Sequence, residues 1–217
     1  MTVITISREI GSQGGTIARR VAEDLGFTLV TKHTFEKILR QYGLVQLDEL
    51  YKSASFWAQL DSANLDLIAQ LNTIILAFAK QDNMVILGRG GFAVLREYAN
   101  VLHVRIQAPF AVRVQRVMAR ENLTLPEAEK RVAQNDKARA RFVQGFYDAD
   151  FYSTRAFHLV LDTGLLPLDT ATAWIIEATH HLTNRLPGAI TTQQIEVDPI
   201  LARAIQEVLH VEQESSA

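Results

Sequence analysis

The residues Val3-Ile4-Thr5-Ile6-Ser7, followed at once by Arg8-Glu9-Ile10-Gly11-Ser12-Gln13-Gly14-Gly15-Thr16-Ile17-Ala18, decide how this chain is read. A β-branched apolar run enters a turn rich in glycine and serine. Helical spacing of Ile17, Val21, Ala22 and Leu25 begins directly after the turn, and Gly26 stops it. That order builds a cradle for phosphate. Glycines let the backbone approach an anion, and the first-turn N–H groups of the next helix point at it, aided by the helix dipole. The predicted cradle runs from Gly11 through Ser12, Gln13, Gly14 and Gly15 to Thr16, whose hydroxyl is placed for Mg²⁺ or a phosphate oxygen. The common fingerprint G-x-x-x-x-G-K-[S/T] is not met, because no lysine precedes Thr16. A turn whose glycines only relieve strain is the alternative.

Outward from this stretch, apolar strand-like runs recur at 28–30, 84–87, 101–106 and 158–161. Helical patterns separate them at 16–25, 35–42, 65–80, 92–98 and, after Pro109, 110–121. A further helix opens at Thr124 with Pro126 and Glu127 as its cap signal and runs to about Phe142, and the last of the series covers 169–182. Near-continuous apolar strands alternating with helices predict an α/β fold, a doubly wound parallel sheet with helices on both faces. Leu186-Pro187-Gly188 divides a domain at 1–185 from an extension at 186–217. The extension holds a strand-like piece at 189–195 and a helix from Pro199 with Leu201, Ile205, Val208 and Leu209 on one face. That face can pack on its own domain or serve as a homodimer contact.

Composition excludes several classes. The 217 residues carry a net charge of −2, which gives no reason to expect a nucleic acid or a membrane as partner. Cysteine is absent, so disulfides, thiolate metal sites and thiol catalysis are excluded, and a cytoplasmic location is expected. A strand that begins within three residues of Met1 leaves no room for a secretion signal. The most apolar long window, 65–79, is interrupted by Asp66, Gln70 and Asn72 and is too polar to span a bilayer. His180-His181 has no further ligand at metal spacing.

Three other groups of residues carry chemistry. Leu87-Gly88-Arg89-Gly90-Gly91 closes the third strand, at the carboxyl edge where open α/β sheets bind ligands. An arginine between glycines there can offer a bidentate fork to a phosphate or a planar base. Arg113, Arg116 and Arg120 share one helix face. Asp136-Lys137-Ala138-Arg139-Ala140-Arg141 packs three cations into five residues, as a basic lid over a transferring phosphoryl group would. A solvated helix face is the plain alternative for the last group. Asp162-Thr163-Gly164, after the final strand, lines a base or ribose pocket or caps the following helix.

Taken in order, these motifs resemble the cytidylate kinase-like family, a branch of the P-loop nucleoside monophosphate kinases. The stretches that carry the likeness are 3–15, Ile86-Leu-Gly-Arg-Gly-Gly, 100–106, 136–142 and 159–164, so it covers about residues 1–182. The resemblance implies the P-loop NTPase fold: a five-stranded parallel sheet of order 2-3-1-4-5 with a helical lid at about 124–150. It implies ATP and Mg²⁺ on the first loop and a small-molecule nucleotide acceptor, CMP or dCMP. By that likeness Arg113 and Arg116 face ATP and Gly88-Arg89 serves the acceptor; Lys32, which follows Thr31 where many relatives carry an acidic residue, and Asp136 are expected to bind substrate as well. Lys137, Arg139 and Arg141 belong to the lid, and Arg8 joins them as a catalytic cation. Laid against true cytidylate kinases without gaps, the P-loop lysine falls on Gly14 and the opening glycine on Arg8, while Thr16 keeps its hydroxyl. Two rival readings remain: a degenerate nucleotide-binding module without turnover, in which Gly14→Lys is expected to restore a little activity, and a kinase of a non-nucleotide small molecule. The segment 43–80 departs from the true kinases, with Tyr51, Phe56, Trp57 and Asp61 able to shape an acceptor pocket or a core.

Overall fold

The computed structural model describes residues 2–41, 65–182 and 188–214. Tyr51, Phe56, Trp57 and Asp61 lie outside these residues. Five strands, β1 (Val3–Arg8), β2 (Thr28–Val30), β3 (Met84–Leu87), β4 (Val101–Gln107) and β5 (Leu159–Asp162), form one sheet in the order β2-β3-β1-β4-β5. Every neighbouring pair is parallel, with Ile4 of β1 opposite Val85 on one side and Leu102 on the other. Described helices are α1 (Gly14–Leu25), α2 (Lys32–Gln41), α3 (Leu65–Lys80), α4 (Gly91–Val94), α5 (Phe110–Glu121), α6 (Leu125–Tyr147), α7 (Leu168–Leu182) and α8 (Pro199–Glu214).

The side-chain alternation of β1 sorts the two layers. Ile4 and Ile6 pack on Ile17, Ala18 and Val21 of α1 and on Ala171 and Ile175 of α7. Val3, on the opposite face, joins Phe35 and Ile38 of α2 with Ile74, Ile75 and Phe78 of α3. Val114 and Val117 of α5 meet Ala128 and Val132 of α6 in a smaller cluster. Burying both faces holds the carboxyl ends of β1, β3 and β4 side by side, and the loops that follow them share one edge.

Two expectations are corrected. The piece at 189–195 is irregular, ending in a single 3-10 turn at Thr192–Gln194 rather than a strand. Asn100 holds it, accepting from the Thr192 amide at 2.9 Å and donating to the Thr192 hydroxyl at 2.8 Å. The helix expected at 92–98 is one turn, Gly91–Val94. Of the two readings of the α8 face, packing on its own chain is the one found: Leu201, Ile205 and Val208 are buried in the cluster shared with α2 and α3. Among the described residues no helix is long and apolar enough to cross a membrane.

Candidate active site

The loop between β1 and α1 is fixed from both ends. The Ser12 amide donates to the Glu9 carbonyl at 3.3 Å and the Ser12 hydroxyl to the same oxygen at 2.9 Å. Gly11 takes φ +79°, and a Cβ there would meet the Arg113 carbonyl at 2.6 Å, so the turn lies directly on α5. Gln13 enters α1 from the left-handed region at φ 60°. Gly14, Gly15 and Thr16, the first turn of α1, therefore line a cleft of about 700 Å³, with Gln13, Gly15 and Thr16 exposed at its mouth and the Thr16 amide donating to the Gln13 carbonyl at 3.0 Å.

Arginines from separate elements converge on this cleft: Arg8 from β1, Arg116 and Arg120 from α5, and Arg139 from α6. Arg116 is held by its protein partners, donating to the Gly11 carbonyl at 3.3 Å, to the Thr163 hydroxyl at 3.1 Å and to the Thr163 carbonyl at 2.7 Å. Thr163 in turn donates to the Ser12 carbonyl at 2.8 Å, so the turn after β5 braces the loop. Arg139 donates to the Asn135 side-chain oxygen at 2.6 Å. Burial, with the repulsion of Arg89 second, pushes the Arg139 guanidinium down to about 10. A bound anion would offset both causes.

Behind the cleft runs a buried chain of charges. Arg105 meets Glu9 at 3.3 Å, Glu9 meets Arg113 at 3.2 Å, and Arg113 forks onto Asp136 at 2.9 and 3.1 Å. Glu9 also accepts the Ala108 amide at 3.2 Å. All four side chains are buried. Burial lowers the Arg105 pKa more than its contact with Glu9 raises it. The network ties the loop, β4, α5 and α6 together.

The arrangement revises several sequence-based assignments. Arg113 and Asp136 were expected to face ATP and the acceptor, but Arg113 forks onto Asp136 and also meets Glu9 and the Ala108 carbonyl below the cleft. Ser12 turns its hydroxyl into the loop rather than outward. Lys137 and Arg141 are exposed and do not line the cleft; of these three basic residues only Arg139 does. Lys32 is half exposed at the start of α2 and pairs with Glu36 at 3.4 Å. Arg89 sits outside this cleft's lining in the left-handed region at φ 60°, between Gly88 and Gly90 with φ of +81° and +74°. Gly14 cannot simply be returned to lysine, because a Cβ there would lie 2.6 Å from the Cβ of Arg8. Sequence reasoning passed over Glu9, Arg105 and the brace formed by Thr163. A lone arginine inside the apolar strand His103-Val104-Arg105-Ile106 was the signal for a buried charge that needs a partner.

Thr16 presents the hydroxyl expected to hold Mg²⁺. Glu9 is the one carboxylate at the wall of the cleft among the described residues, and its oxygens are committed to Arg105, Arg113 and the Ala108 amide. This donor set fits an ion that arrives bridged to phosphates and takes one protein oxygen, which is the habit of Mg²⁺.

A parallel sheet in this order, with a glycine-rich turn feeding α1, is the P-loop fold of the kinase type. The chain belongs to the cytidylate kinase-like family, whose model matches residues 3–165. It is 30% identical over 172 residues to a cytidylate kinase of Pyrobaculum arsenaticum, covering 79% of this chain and 89% of that protein. A cytidylate kinase of Ignicoccus hospitalis is likewise 30% identical over 167 residues, covering 76% and 92%. The solved structure of an uncharacterized protein from Eubacterium ventriosum shares the fold with a TM-score of 0.64 at 24% identity, covering 85% of this chain and 100% of that one.

Proposed function

We propose that this protein transfers the γ-phosphoryl group of ATP to a nucleoside monophosphate, CMP or dCMP by its family resemblance, as a cytoplasmic enzyme. The observation that carries the reading is the convergence of Arg8, Arg116, Arg120 and Arg139 on the loop that opens α1. Phosphoryl transfer asks the protein mainly for position and for charge against the equatorial oxygens, and little covalent work. In this reading the first-turn amides and Thr16 seat the donor's β- and γ-phosphates. Arg116 and Arg120 meet the donor from α5, and Arg139 leans in from α6 toward the group in flight. Thr16 would hold Mg²⁺ together with the nucleotide, and the ion would neutralise phosphate charge. Gly88, Arg89 and Lys32 serve the acceptor, since they follow β3 and β2 at the same carboxyl edge of the sheet.

A thermal-shift and turnover screen of ATP–Mg²⁺ against the common nucleoside monophosphates tests this. ATP–Mg²⁺ should raise the melting temperature, in keeping with about 2.7 kcal/mol of added stability at a hundredfold excess over Kd. Thr16→Val should lose most of that shift, and CMP or dCMP should give the highest kcat/KM. Binding without turnover on any acceptor would make the protein a nucleotide-binding module instead. Turnover only on a non-nucleotide hydroxyl would replace the acceptor class.

A further inference from the structure

We propose that Arg8 and Gly14 form a reciprocal exchange: Arg8 carries, from the first position of the loop, the phosphate-facing cation that P-loop kinases carry on a lysine at the position of Gly14. The inference rests on the phosphoryl-transfer reading above and names the group that supplies its missing charge.

A Cβ built on Gly14 would lie 2.6 Å from the Cβ of Arg8, 3.1 Å from its Cγ and 3.2 Å from the Cβ of Ile106. The two positions face each other across the neck of the loop, and only one of them can bear a side chain. A lysine at the start of α1 requires a glycine at the end of β1, and an arginine at the end of β1 requires a glycine at the start of α1. This chain holds the second combination.

The direction of the side chain follows. A Cβ built on Gly88 would lie 2.0 Å from the Arg8 Nη1 and 3.1 Å from its Cζ. Arg8 therefore runs from the carboxyl end of β1 across to the carboxyl end of β3 and rests on Gly88, which also takes φ +81°. It lines the cleft with Gly14, Gly15, Thr16 and Leu87. The guanidinium thus stands between the amides that cradle the donor and the Gly88-Arg89-Gly90 turn. In an in-line transfer that is the side on which negative charge crosses from donor to acceptor, and a planar fork can span two phosphate oxygens there. Gly88 gains a role of its own: its bare Cα is the seat of the guanidinium.

Four variants separate this from a brace that merely fills space. Arg8→Met keeps the length without the charge. It should lower kcat and kcat/KM together by about a hundredfold, with the melting temperature retained. Gly14→Lys alone should weaken ATP–Mg²⁺ binding by calorimetry, because two side chains then compete for the neck. Arg8→Gly combined with Gly14→Lys should regain about tenfold or more in turnover over either single variant. If the lysine variants do not fold, Gly14→Ala alone and Gly14→Ala with Arg8→Gly ask the same steric question with one methyl group. The single change should cost ATP affinity and the pair should recover it. Wild-type turnover by Arg8→Met, or a folded double variant no better than Gly14→Lys, overturns the exchange while leaving the kinase reading in place. Should wild type bind ATP yet phosphorylate no acceptor, the kinase reading falls. The exchange is then judged on binding: weaker ATP affinity in Arg8→Met upholds it, and unchanged affinity overturns it. No ATP binding by wild type overturns both.

Discussion

Lys137, Arg139 and Arg141 stand two apart along α6, and each residue of an α-helix turns by about 100°, so the middle one faces away from the other two. Arg139 lines the cleft, while Lys137 and Arg141 stay in water. A cation that acts on the transition state should show in kcat and kcat/KM together. Arg139→Ala should therefore lower both by about a thousandfold, the lower range for an arginine that stabilises a transferring phosphoryl group. Lys137→Ala and Arg141→Ala should stay near wild type in the same steady-state assay. A rise in KM alone for Arg139→Ala would mark it as a binder of ground and transition states alike. The run of basic residues was visible in the sequence, but the division between cleft and solvent depends on which side of α6 meets the rest of the protein.

Arg113 teaches the same lesson along a helix rather than around it. Spacing of three and four puts Arg113, Arg116 and Arg120 on one stripe of α5, yet a stripe also has depth. Its first member lies under the loop against Glu9 and Asp136, and the later ones emerge into the cleft. Asp136→Ala leaves the buried Arg113 guanidinium without its bidentate carboxylate partner and should cost about 3–5 kcal/mol in urea unfolding. ATP affinity, measured on the folded fraction, should change much less, which distinguishes a structural pair from a ligand contact. The strands, the loop and most helices were legible because buried parallel strands and capped amphipathic helices leave strong local signals. The box of Thr124 and Glu127 is an example, with the Thr124 amide donating to the Glu127 carboxylate at 2.8 Å. The piece at 189–195 carried β-branched residues without a sheet edge to receive it, and local composition cannot reveal that.

Beyond the sheet, the extension closes the molecule on itself. α8 lays Leu201, Ile205, Val208 and Leu209 into the cluster with α2 and α3, and Gln41 of α2 donates to Glu207. Ile205 is fully buried, so Ile205→Ala should cost about 2–5 kcal/mol through lost burial and a residual cavity. Sedimentation of the intact chain should give no dimer that depends on this face, and a dimer abolished by Arg203→Glu or Glu207→Lys on the exposed side of α8 would show another contact at work. The order of the strands came from resemblance rather than from the residues. Parallel strands of like composition carry no mark of their neighbours, and pairing is fixed only when the helices are packed.

The holding of Arg116 by Gly11 and Thr163, and of Arg139 by Asn135, has a kinetic consequence. Cations anchored by protein partners set up their field before any ligand arrives, so an incoming polyanion is drawn in from a distance comparable to the screening length, about 8 Å at physiological salt. Stopped-flow binding of ATP should therefore show an association rate that falls steeply between low and high ionic strength, with a dissociation rate that changes little. Inorganic pyrophosphate should follow the same dependence, because the attraction reads charge and takes no account of the base.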